Sequence, residues 1–98
     1  MENKIIVFSR QGCKYCDNAK NFLNELQLPF NEIKLKPSDK NYECKRDQLF
    51  HYYKHYSYPV IVINNELVGG YSDLVKAYDT LKLHKMCNKI GLELSFDL

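Results

Sequence analysis

The most reactive stretch of the chain is Cys13-Lys14-Tyr15-Cys16. Two thiols at this spacing can bind a metal, close a structural bridge or exchange electrons with another sulfur pair. Zinc takes four ligands and usually uses a second close pair. Here Cys44 and Cys87 are isolated, and His51, His55 and His84 show no paired spacing with them. A structural bridge between Cys13 and Cys16 would close a tiny loop that a helix already orders, so it would add little stability. Redox chemistry is left as the best use of the pair, since C-x-x-C near a βαβ pattern is itself a redox signal.

Such a pair needs elements to hold it. Lys4 to Phe8, KIIVF, is a β-branched apolar run that predicts a strand buried on both faces. Ser9 to Gly12 reads as a loop. From Cys13 the period becomes helical, with Cys16, Ala19, Leu23 and Leu26 on one side, and Pro29 as the stop. Cys13 then sits where a strand hands over to a helix. The free N–H groups and dipole of that first turn favour an anion. Arg10 and Lys14 add positive charge, so the sequence predicts a Cys13 pKa below the usual value of about 8.5. Cys16, nearly one turn further in, is expected to be more buried and less ionised.

Further along, PFNEIKLK, Pro29 to Lys36, alternates as a second strand, with Ile33 and Leu35 on one side. Pro37 breaks the chain, and Ser38 or Asp39 is the expected cap of a helix over about 40–55. Tyr42, Leu49, Tyr53 and Tyr56 form its stripe. Pro59 to Ile63 is a buried strand. Asn64-Asn65 supplies the left-handed residues of a tight hairpin turn, and Glu66 to Val68 returns. Gly69-Gly70 reads as a turn, Ser72-Asp73 opens a helix, and a last helix over Leu83 to Ile90 ends at Gly91. The order βαβαββα plus a short C-terminal helix implies an α/β fold. A right-handed parallel crossover and an antiparallel hairpin make a four-stranded mixed sheet flanked by helices.

The 98 residues fit one domain, 1–98, with 45% hydrophobic and 27% charged residues. A net charge of +2, with no basic block, argues against nucleic acid. No apolar run nears the ~18 residues of a membrane span. The N-terminal MENKIIVFSR has too short an apolar stretch for a signal peptide. A cytoplasmic protein is therefore expected, and in that reducing setting structural disulfides are rare.

Three further features join the cysteine pair: Ser57-Tyr58-Pro59, the run Gly69-Gly70-Tyr71-Ser72-Asp73, and the distance of both from Cys13. Together they resemble a glutaredoxin of the dithiol class, over nearly the whole chain from Lys4 to about Leu92. The resemblance implies a thioredoxin-like fold and a monomer acting with glutathione on glutathionylated or disulfide-containing proteins. Cys13 would be the nucleophile and Cys16 the resolving cysteine. Arg10 would reach the glycine carboxylate of glutathione, and Tyr15 would join the glutathione-binding set. Tyr58 would offer its backbone beside a cis Pro59, with Ser57 in place of the family's Thr. Gly70 and Ser72 would present N–H groups to the γ-glutamyl carboxylate, and Asp73 would pair with its ammonium. No metal is expected in this reading. Lys14 stands where the family often has proline, adding a charge beside the thiolate. The same departure permits an alternative, a [2Fe–2S] cluster held by the first cysteine and glutathione between two protomers. Tyr58 replaces a valine, so its ring must lie over the site or in solvent. Cys44 and Cys87 read as small core or half-buried residues.

Overall fold

In a computed structural model, which describes residues 4–94, the chain runs β1 (Ile5–Arg10), α1 (Lys14–Glu25), β2 (Asn31–Leu35), α2 (Tyr42–Tyr53), β3 (Val60–Ile63), β4 (Glu66–Gly69), α3 (Tyr71–Asp79) and α4 (Lys82–Lys89). The sheet order is β2-β1-β3-β4. β1 is parallel to β2 and antiparallel to β3, and β3 is antiparallel to β4. This is the mixed four-stranded sheet that the element order implied.

Alternation along the strands builds two separate apolar layers. Ile5, Val7, Ile61 and Ile63 face Ala19 and Leu23 of α1 and Leu74 of α3, with α4 completing that side. On the opposite face Leu35, Val60 and Val62 meet Tyr42 and Leu49 of α2. Fully burying a side chain such as Leu23 or Leu74 contributes about 1.5–3 kcal/mol. β3 is buried along its whole length, whereas β1 alternates buried and half-buried positions. The expectation that β1 is buried on both faces is therefore corrected: the single helix α2 leaves Ile6 and Phe8 partly uncovered.

Several boundaries also move. β1 continues through Ser9 and Arg10 because both pair with β2, opposite Lys34 and Leu35. α1 stops before Pro29 is reached. Gln27 turns left-handed (φ 58°), its N–H bonds the Asn24 carbonyl, and Leu28 N–H bonds the Leu23 carbonyl at 3.0 Å. Leu28 is buried at this Schellman ending, which anchors the chain before the proline. α2 is capped by neither Ser38 nor Asp39: Asn41 holds the cap position without a side-chain bond. Tyr56 lies beyond the end of α2 and is exposed, so it does not belong to the buried stripe. Asn64 and Asn65 both adopt positive φ, as the hairpin turn requires. α4 ends before Gly91, whose φ of 81° makes the expected left-handed cap. The Gly69-Gly70 turn resolves into two roles, the last residue of β4 and the cap of α3.

Candidate active site

The sheet itself assembles the site. Phe8 lies opposite Val60 in the β1–β3 ladder. Continuing that antiparallel register by two residues sets Arg10 against Tyr58. The Arg10 guanidinium accordingly lies over the Tyr58 ring, 6.0 Å from its centroid. Gln11 N–H bonds the Leu35 carbonyl at 3.1 Å and ties the loop before Cys13 to the end of β2.

Cys13 is the N-cap of α1. Its Sγ accepts a hydrogen bond from Cys16 N–H at 3.1 Å, one of the four donors that a helix start leaves unpaired. Cys13 and Cys16 are joined as a disulfide, with their Cα atoms 5.2 Å apart. Cys16 is 1% exposed, whereas Cys13 is half-buried. The asymmetry expected from helical spacing is present: the outer sulfur can be approached and the inner one is covered. Lys14 takes the first helical position and is exposed, as is Tyr15.

A groove of about 430 Å³ opens beside Cys13. Of the residues singled out in the sequence, Arg10, Cys13, Lys14, Tyr15, Ser57 and Tyr58 line it. Pro59 is fully buried and follows Tyr58 through a cis peptide bond, next in sequence to the lining residues. The Tyr58 ring lies over the groove. Its hydroxyl meets that of Tyr42 at 3.2 Å, and its ring packs on Phe50 at 5.2 Å. Burial and the Tyr42 hydrogen bond both push the Tyr58 phenol well above its ordinary range, so it stays neutral at physiological pH.

Gly70, Ser72 and Asp73 are not among the residues lining this groove. Gly70 packs near Pro59 and His55: a Cβ there would lie 3.8 Å from the Pro59 carbonyl oxygen and 3.5 Å from His55 Nε2. Ser72 is exposed in the first turn of α3. Asp73 Oδ2 accepts the Gly70 N–H at 2.9 Å, which is the cap of α3. Gly69 makes that cap possible. Its φ is 123°, and a Cβ there would sit 2.7 Å from Asp73 Cβ and Cγ.

Sequence reasoning missed the part of the far wall that α2 supplies, Tyr42, Arg46 and Phe50; Tyr56 also lines it. Tyr42, Arg46 and Phe50 recur at four-residue spacing on α2, a signal that was legible but hidden by the stronger apolar stripe through Leu49. Arg46 lies over the Tyr42 ring at 5.6 Å and pairs with Asp47 at 3.0 Å. Cys44 is exposed, contrary to its reading as a core or half-buried residue, because its position on α2 faces away from the sheet. Cys87 is buried, and burial pushes its thiol up to about 11. Among the described residues no group of three or more His, Cys, Asp or Glu is placed to hold a metal ion.

A disulfide-forming pair at the start of α1 and a cis proline just before β3, on one mixed four-stranded sheet, define a dithiol domain of thioredoxin-like fold. Comparison with known proteins narrows the class. The glutaredoxin family model matches residues 5–68. Glutaredoxin-2 of Schizosaccharomyces pombe is 31% identical over 84 residues, 86% of this chain and 76% of that protein. The N-acetyl-S-hydroxy-L-cysteine reductase of Bacillus subtilis is 44% identical over 36 residues, 37% of this chain. The chain spans 39% of that reductase and 62% of the similar Glutaredoxin-C8 of Oryza sativa. Among solved structures, a buckwheat glutaredoxin–glutathione complex superposes with a TM-score of 0.82 at 22% identity, covering 93% of this chain and 82% of that one. The chain belongs to the glutaredoxin family, whose fold and chemistry are those of thiol–disulfide oxidoreductases.

Proposed function

We propose that the protein is a glutathione-dependent thiol–disulfide oxidoreductase that acts on glutathionylated and disulfide-containing proteins. The observation that carries this reading is the Cys13–Cys16 disulfide, with Cys13 opening on a groove walled by Arg10 and Tyr58. The Cys13 thiolate attacks the glutathione sulfur of a protein–glutathione mixed disulfide. A Cys13–glutathione disulfide forms, the S–S bond between glutathione and the protein's own sulfur breaks, and the protein leaves as a thiolate that takes a proton from water. The thiolate of a second glutathione attacks the bound glutathione sulfur. Glutathione disulfide leaves and Cys13 returns to thiolate. With a dithiol substrate, the Cys16 thiolate attacks Cys13 in the mixed disulfide and expels the reduced substrate. Two glutathiones then reduce Cys13–Cys16.

Residue roles follow from the resemblance; Arg10, Tyr15, Ser57 and Tyr58 line the groove beside Cys13, whereas Gly70, Ser72 and Asp73 lie outside its lining. Arg10 reaches the glycine carboxylate of glutathione, with Tyr15 beside it. The backbone at Tyr58, next to Ser57 and before Pro59, pairs with the cysteine portion as an added strand. Gly70 and Ser72 at the start of α3 offer N–H groups to the γ-glutamyl carboxylate. Asp73 uses Oδ2 for its cap, and its carboxylate charge pairs with the γ-glutamyl ammonium. Glutathione bound in the related buckwheat protein supports the ligand assignment. The enzyme acts as a monomer in the cytoplasm, where a glutathione pool drives the cycle. The cluster-binding alternative uses the reduced Cys13 as a ligand, and anaerobic reconstitution with glutathione, followed by visible absorption and sizing, separates it: a colourless monomer rejects it.

The test is a glutathione-coupled reduction of a mixed disulfide. Cys13→Ser is expected to abolish turnover on every substrate. Cys16→Ser is expected to keep deglutathionylation and lose the reduction of dithiol substrates. An active Cys13→Ser protein refutes the scheme.

A further inference from the structure

A second groove, of about 440 Å³, lies between β2 and α2. It adjoins the active-site groove, since Tyr42 lines both. Its floor is apolar, made by Phe8, Leu35, Leu49 and Tyr53. Ile33 and Tyr52 stand at its mouth, 46% and 74% exposed, two of the five large hydrophobic side chains left exposed among the described residues. β2 is an edge strand of the sheet and four of its five residues are exposed.

The charges of this surface are one-sided. Across both grooves the charged lining residues are Arg10, Lys14, Arg46, Lys34, Lys36 and Lys45, against a single carboxylate, Asp39. Two of these cations have partners elsewhere: Arg46 pairs with Asp47, and Lys34 helps hold the Glu32 carboxyl low. Lys36 and Lys45 remain on the second groove facing Asp39. A chain of net charge +2 thus places six of its 14 Lys and Arg along one path from Cys13 to β2. An acidic partner complements that path, and an apolar floor suits a buried side chain within an acidic segment.

We propose that the β2–α2 groove docks the client protein, taking an extended acidic segment with one large apolar side chain that flanks the client cysteine. The client sulfur is held at Cys13 while the flanking segment crosses Tyr42 and seats its apolar side chain between Ile33 and Tyr52. The proposal deepens the oxidoreductase reading by naming the class of protein substrate, and rests on it.

The test separates docking from chemistry. A labelled peptide carrying Asp and Glu around one Phe, with Ser in place of its cysteine, is titrated against the full chain by fluorescence anisotropy. A Lys-substituted version serves as control. Glutathionylated forms of both peptides and the cysteine–glutathione mixed disulfide are assayed for turnover. The acidic peptide is expected to bind at least about fivefold tighter than the basic one at low salt, with the preference fading as salt rises. Lys36→Glu/Lys45→Glu is expected to weaken acidic-peptide binding about tenfold and raise its KM in step. Tyr52→Ser, at an exposed position, is expected to weaken it severalfold through lost apolar contact. Turnover of the small mixed disulfide is expected to be unchanged in both variants. Equal binding of the two peptides, or variants that bind as the wild type does, overturns the docking proposal while small-substrate turnover still supports the oxidoreductase reading. Absent turnover of the small disulfide refutes that reading, whatever the peptides do. A dimer by sizing that Tyr52→Ser disperses assigns the groove to a second copy of the chain and overturns the proposal.

Discussion

At the scale of single residues, Ser57 keeps the hydroxyl of the family's Thr, and the larger departures from the family's pattern at the site are two. Lys14 fills a helical position where proline would fix φ and remove an N–H that has no helical partner anyway. It trades that rigidity for a charge on the residue next to Cys13, at the rim of the same groove. The charge and the helix start act in the same direction on a thiolate. Wild-type Cys13 is therefore expected to ionise at lower pH than Cys13 in Lys14→Pro, and the pair to be more oxidising. A stabilised thiolate stabilises the reduced form. Titration of thiolate absorbance in the reduced proteins checks it, and an equal or higher pKa in the wild type shows that Lys14 points away. Tyr58 is the other departure. Its ring covers the groove and engages Arg10, Tyr42 and Phe50 at once, so its position is fixed by three partners.

At the scale of elements, α1 must be held firmly if Cys13 is to stay at the mouth of the groove. Packing of Ala19 and Leu23 does most of this, and a polar cluster adds to it. Ser9, buried on β1, donates its hydroxyl to Glu32 Oε2 at 2.6 Å, and Lys20 of α1 donates to the same oxygen at 2.8 Å. Burial pushes the Glu32 carboxyl up, but the hydrogen bonds from Lys20 and Ser9 outweigh it and hold the group below its ordinary value of 4.5. A depressed carboxyl contributes its stability above the unfolded pKa and loses it as pH falls through the folded one. Glu32→Gln is therefore expected to be less stable than wild type by about 1–2 kcal/mol at neutral pH. The two stability curves should converge as pH drops below 4.5. Urea midpoints across that range measure the gap, and a gap that persists undiminished in acid removes the charge from the explanation. At the alkaline end the same pair fails only as Lys20, raised above 10.5 chiefly by its bond to Glu32, loses its proton.

At the scale of the whole molecule, the fold separates its four cysteines by environment. Cys13 and Cys16 pair at the start of α1, Cys44 is exposed on α2, and Cys87 is buried beside the α1–α3 layer. With its thiol pushed up to about 11 by burial, Cys87 has almost no reactive thiolate at neutral pH. In the oxidised native protein a thiol-alkylating reagent is expected to modify Cys44 rapidly and Cys87 only in denaturant. Mass spectrometry of timed samples reads both rates. Fast native labelling of Cys87 would mean that the α4 side opens locally. The fold also redistributes charge. The sequence spreads Lys and Arg evenly, yet the sheet and α2 bring six of them to one pair of adjoining grooves.

The sequence by itself determined the element order, the mixed sheet, the hairpin at Asn64-Asn65 and the unequal cysteines at the start of α1. These rest on local physics: period, propensity, turn residues and helix-start geometry act over a few residues. The glutathione-binding roles of Arg10, Ser57, Pro59 and Asp73 came only through resemblance, since each alone has an ordinary structural use. Tertiary structure alone decided what lies across from Cys13. The β1–β3 register set Arg10 against Tyr58, and α2 laid Tyr42 and Arg46 over the same groove. That register depends on pairing between strands about fifty residues apart, which no local pattern specifies. The capping bond from Gly70 to Asp73, the left-handed ending at Gln27 and the exposed Cys44 likewise became visible only when the elements packed.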